Sequence, residues 1–185
     1  MKHIKTFLIL AIAVLGFSSL NVQAQNYIVA GSAPQSAIEK KIFKEINMLP
    51  YYGLYDSISF KVEGGTVTLY GKVHHASNKG SAARVVKRIQ GVERVVNNIE
   101  ILPLSSFDDS IRYQVAQNLA NTGGLYRYLH PVNPSVRIIV DRGHVTLEGY
   151  VGNRHDYNLM NIMALSASNA FSVKNNLVIE SEVNH

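Results

Sequence analysis

The 185-residue chain contains no cysteine and no tryptophan. Without cysteine there is no disulfide, no thiolate metal site, no cysteine nucleophile and no lipid-carrying N-terminal cysteine. Charge of one sign is not in large excess: 18 Lys+Arg against 13 Asp+Glu give a formal charge of +5. That is too little to indicate nucleic acid, which calls for a dense basic face. The motifs of the common enzyme classes are also missing. There is no G-x-S-x-G, no H-E-x-x-H, no P-loop and no Rossmann glycine run opening a helix. The adjacent His74 and His75 cannot easily face one metal and read as surface histidines. Asp108-Asp109 reads as acidic charge at a helix N-terminus. The chain therefore offers no catalytic residue, no metal site and no cofactor site. What remains is ordinary for a folded protein, 46% hydrophobic and 17% charged residues, which argues against disorder.

Long apolar runs are confined to the start. Lys2, His3 and Lys5 precede Thr6–Phe17 (TFLILAIAVLGF), and a small polar stretch ends in Val22-Gln23-Ala24. This is the layout of an export signal, and its apolar run is too short to span a bilayer. We expect residues 1–24 to be a signal peptide cleaved after Ala24, and residues 25–35 to lead into the first domain. Removing Lys2 and Lys5 lowers the formal charge from +5 to +3. The expected location is the periplasm.

The rest of the chain is one unit written twice. Eleven identities recur at a constant offset of 78 between Val62 and Ile101, among them Val67-Thr68-Leu69 with Val145-Thr146-Leu147. Upstream the offset is 73, so the second copy carries about five extra residues around His130–Pro134. The units occupy residues 36–104 and 106–182.

Each unit opens with apolar residues at helical spacing, Ile38, Ile42, Ile46 or Ile111, Val115, Leu119. Ser36 with Glu39 makes a capping box, and Ser106 or Asp108 caps the second copy. Strict alternation follows on both sides of a Gly64-Gly65 or Arg142-Gly143 tip, the pattern of a β-hairpin. A second helix buries Ala82, Val85, Val86 and Ile89, or Met160, Met163, Ala164 and Ala167. Gly91 and Asn169 take a left-handed cap position. A last strand carries Asn97 or Asn175 in phase with its apolar residues, as structural pins. The order α-β-β-α-β predicts an α+β fold of two tandem two-layer units. Each is a three-stranded mixed sheet covered by two helices, its crossover right-handed. Units this small are marginal alone and should lean on one another.

These features resemble the BON domain family. The motif G-x-V-x-L-x-G-x-V stands at Gly65–Val73 and Gly143–Val151, and V-x-N-N-[IL] at Val95–Ile99 and Val173–Leu177. The second unit departs at Asn169-Ala170, where the family has Gly-Val. The resemblance implies a non-enzymatic envelope protein that binds phospholipid surfaces and supports the envelope under osmotic stress. It also implies, as an alternative, chaperone-like holding of outer-membrane or secreted proteins; a further alternative is a place as an interaction module in an envelope assembly.

Two features are candidates for such a surface. The segments after the first helix of each unit are rich in tyrosine. Tyr51, Tyr52, Tyr126, Arg127 and Tyr128 suit a bilayer interface with anionic headgroups, or they cap the core. The second helix of each unit carries a further stripe. It is basic in the first copy, with Arg84, Lys87 and Arg88, and apolar in the second, with Leu159, Ile162 and Leu165. An apolar second stripe needs cover, either from the first unit or from a lipid or unfolded client. The expected partner is an anionic phospholipid surface contacted peripherally, with unfolded outer-membrane proteins as the alternative.

Overall fold

The computed structural model describes residues 36–167 and 169–180. The expected signal peptide, the segment 25–35 and the last two residues of the second unit lie outside them.

The first unit runs α1 (Ala37–Asn47), β1 (Ser57–Glu63), β2 (Thr66–Val73), α2 (Ser77–Lys87), β3 (Arg94–Asn97) and β4 (Glu100–Ile101). The second runs α3 (Ser106–Ala120), a 3₁₀ turn at Leu125–Tyr128, β5 (Val136–Asp141), β6 (His144–Val151), α4 (Arg154–Leu165) and β7 (Ser172–Ile179). The hairpins pair antiparallel, Ser57 opposite Lys72 and Val136 opposite Gly149. The strand after each crossover helix lies parallel to the hairpin's second strand, so that strand is central in both sheets. This is the expected fold of two α+β units. In the first unit the last strand is broken into β3 and β4, both paired with β2. In the second it is continuous over eight residues.

Local chemistry explains the boundaries. Ser36 caps α1 in a full capping box with Glu39. The cap of α3 is Ser105, whose hydroxyl accepts from the Asp108 N–H, and not Ser106 or Asp108. Asp108 is instead buried, its carboxylate accepting the backbone N–H of Arg142 and of Gly143 at 2.9 and 2.8 Å. It thereby ties the start of α3 to the β5–β6 tip. Arg142 and Gly143 both have positive φ, as a tight two-residue hairpin turn requires. Asn97 and Asn175 each bond the preceding helix through Nδ2 and accept a strand N–H two residues on.

Each unit has its own core. In the first, Ile42, Ile46, Phe60, Val67, Leu69 and Val86 are buried together, and in the second Ile111, Val115, Leu147, Met160 and Leu177. Leu54 and Tyr55 of the first unit pack on the second core. The Ile138 N–H donates to the Leu54 carbonyl at 2.8 Å, covering the free edge of β5. Arg137, buried, donates to the Gly53 carbonyl at 2.7 Å and to Asn47 Oδ1 at 3.2 Å, and lies 4.0 Å over the Tyr52 ring. Lys72 pairs with Asp141 at 2.5 Å, and His74 with Asp109 at 3.2 Å. The two units therefore lean on one another through a largely polar joint. Neither Arg137 nor Lys72 has its equivalent in the other copy, where Ser59 and Tyr150 stand.

Candidate functional site

The tyrosine-rich segments divide into two groups. Tyr52 is 7% exposed; its hydroxyl accepts the Ile58 N–H at 3.0 Å, and burial pushes its phenol pKa up. Tyr128 is 8% exposed, donates to Asp156 at 2.6 Å and accepts the Gly152 N–H at 3.1 Å. Arg127 donates to Asp156, to Tyr128 and to the Gly124 carbonyl. Of the surface candidates, Tyr52 and Tyr128 are therefore spent inside the fold, whereas Arg127 stays exposed while paired with Asp156. Asp156 is the reason. A buried carboxylate must be satisfied, and Tyr128, Arg127 and the Asn153 amide all donate to it, while the Asp156 N–H donates back to Asn153 Oδ1. Tyr51 and Tyr126 are exposed, Tyr51 stacking on the His75 ring at 4.3 Å.

The second-helix stripes stay on the surface. Arg84, Lys87 and Arg88 are exposed on α2. Of these, Arg88 joins Lys41, Lys44 and Glu45 of α1 around a shallow groove floored by Val85 and Ile89. Among the described residues none of these five cations is in an ion pair. On α4, Leu159 packs on the core of its own unit, whereas Ile162 and Leu165 are 55% and 58% exposed. Of the two covers left open for this stripe, the first unit is not the one that meets Ile162 and Leu165. The units meet instead through the segment 53–56 and β5, because the polar pairs there hold them at the opposite side of the second sheet from α4.

Between the helix-free faces lies a cleft of about 540 Å³, lined by Ser59, Lys72, Asp141, Glu148 and Lys174. Within it Lys72 meets Asp141 at 2.5 Å, and Asn176 donates to Glu148 at 3.0 Å. Among the described residues no three His, Asp or Glu side chains gather as a metal site, and no helix is long and apolar enough to cross a membrane.

The BON domain model matches residues 34–103 and 107–181, which together span most of the chain. The chain belongs to the BON domain family. Its two BON units carry the α-β-β-α-β order twice. No curated protein matches. Two solved structures are similar to it, both of CdsD, a structural protein of the type III secretion system of Chlamydia trachomatis. One, the C-terminal domain, is 17% identical with a TM-score of 0.32, over 82% of this chain and 68% of that one. The other is 14% identical with a TM-score of 0.27, over 78% and 94%.

One exposed group escaped the sequence reading. Phe107 and Phe171 meet at the hairpin tip of the second BON unit, ring centroids 5.6 Å apart, and are 41% and 68% exposed. Neither belongs to a periodic pattern. The signal that finds Phe171 is the comparison between copies, since Glu93 stands at the equivalent place.

Proposed function

We propose that this tandem-BON protein is an exported, non-catalytic periplasmic component that binds anionic phospholipid surfaces peripherally and supports the envelope under osmotic stress. The observation that carries the reading is the helix layer of the first unit. Lys41, Lys44 and Arg88 line one groove beside a single carboxylate, Glu45, and Arg84 and Lys87 are exposed on the adjoining helix; none of these five cations is in an ion pair among the described residues. Each cation near an anionic bilayer contributes about 1 kcal/mol, and salt weakens the attraction. Family membership supports an envelope role. The formal charge left after removal of the signal segment, +3, makes the attachment weak and reversible.

The exposed Ile162 and Leu165 favour a second reading, a holdase for outer-membrane proteins in transit. The two are separated by Arg84→Glu combined with Lys87→Glu and Arg88→Glu. Under the lipid reading this variant loses most co-sedimentation with anionic vesicles and keeps its melting temperature. If it keeps its vesicle binding but Ile162→Asp loses suppression of outer-membrane-protein aggregation, the holdase reading replaces it.

A further inference from the structure

The surface of the second unit holds a built feature that the first lacks. Three segments meet at the β5–β6 tip. Asp108 of α3 accepts both N–H groups of the turn. The Phe171 N–H, just before β7, donates to the Gly143 carbonyl at 2.8 Å. The Phe171 ring lies flat on Gly143, so close that a Cβ there would sit 2.6 Å from Cδ2. Phe107 and His144 flank that ring, at 5.6 and 5.8 Å. A buried aspartate thus fixes a platform whose outer surface is two largely wet phenyl rings. Large apolar groups held exposed on a rigid support mark an interaction site more often than packing by chance. In the first unit the same place holds Glu93 over Gly65, an acidic tip.

The charges around the rings select the partner. Arg142 and His144 are exposed on the tip, at the rim of the cleft. The nearby carboxylates are committed elsewhere: Asp108 to the turn, Asp109 to Arg112 and His74, Asp141 to Lys72. Aromatic rings bordered by cations complement an anionic bilayer surface, where the rings sit at headgroup level. We propose that the β5–β6 tip, through Phe107 and Phe171, is the part of this protein that enters the bilayer surface, with Arg142 and His144 on the headgroups. This rests on the lipid-surface reading and assigns its insertion point, which that reading leaves open.

The absence of tryptophan makes the test direct. Phe171→Trp places a single fluorescent reporter on the tip. Its emission is expected to shift to the blue with vesicles of phosphatidylglycerol and phosphatidylcholine, and to stay put with phosphatidylcholine alone. Phe107→Ala with Phe171→Glu, the latter borrowing the first unit's own residue, is expected to bind anionic vesicles about tenfold more weakly, with an unchanged melting temperature. If the unaltered chain co-sediments with anionic vesicles while the Phe171→Trp emission is unmoved, the tip is not the insertion point and the lipid reading stands. If the unaltered chain ignores anionic vesicles at low salt, the lipid reading falls and the assignment with it. A blue shift that follows protein concentration without vesicles overturns the assignment in favour of a second copy covering the tip.

Discussion

Glu148 and Asp141 line the same cleft and are shifted in opposite directions. Burial raises the Glu148 pKa above its ordinary 4.5, against the pull of Asn176 and Lys174. The folded protein therefore holds this proton more tightly than the unfolded chain. The ionised form costs stability at neutral pH, and the cost fades as pH falls through the raised value. Glu148→Gln keeps an oxygen for Asn176 and is expected to raise the melting temperature at pH 7. The gain should vanish below about pH 4. An unchanged or lower melting temperature at pH 7 would contradict this. Asp141 behaves the other way. The hydrogen bond from Lys72 lowers its pKa from 3.8, so its contribution is present above the ordinary carboxylate range and is lost as pH falls through the folded value. Asp141→Asn should lower the melting temperature at pH 7, with the gap from the unaltered chain closing in acid. Neither shift was legible in the sequence, because both depend on how the first unit's Lys72 and the walls of the cleft fall over the second sheet. The tyrosines teach the same point. Tyr126 and Tyr128 are two residues apart in one turn, yet the buried Asp156, 28 residues beyond Tyr128, takes only the second inward.

At the scale of the element, the hairpins and helices were readable because two copies voted on each. Alternation, the tip residues, the Asn pins and the left-handed Gly91 and Asn169 stand in the structure as spacing implies. The repeated glycines have the sharpest physical reason. Gly71 and Gly149 share φ +113, and an added Cβ would meet the Ser57 and Ser135 carbonyl oxygens at 2.1 and 2.0 Å. Alanine at either place combines a forbidden backbone conformation with a clash against rigid backbone. Each substitution is expected to cost about 3 kcal/mol or more in chemical denaturation. A cost under about 1 kcal/mol would show that the strands can part there. What spacing missed is which helix face stays wet. The apolar stripe on α4 was legible, but its cover was not, since that depends on where the first unit docks. Ile162→Asp is accordingly expected to leave the melting temperature nearly unchanged; a large drop would mean that the residue is covered.

The whole molecule is two small cores held by a joint built from residues outside the repeat. Arg137 is buried, and its guanidinium answers a carbonyl, an amide oxygen and an aromatic face of the first unit. Arg137→Ala leaves these groups unmet and is expected to cost about 2–4 kcal/mol. It should also split one cooperative calorimetric transition into two. A single transition with an unchanged midpoint would show that the joint does not couple the units. A joint of this kind fixes where the cationic groove of the first unit and the aromatic tip of the second sit relative to one another. The repeat told us that there are two units; the residues that break the repeat, Arg137, Lys72, Glu93 and Phe171, tell us how they join and how they differ. The account turns on whether the assembled pair meets an anionic bilayer. The direct measurement is co-sedimentation of the purified chain with vesicles, with and without phosphatidylglycerol, at low and at high salt. Binding that needs the anionic lipid and fades once salt shortens the screening length to a few ångströms is the expected result. Absence of binding to anionic vesicles at low salt, or equal binding to neutral ones, would contradict it.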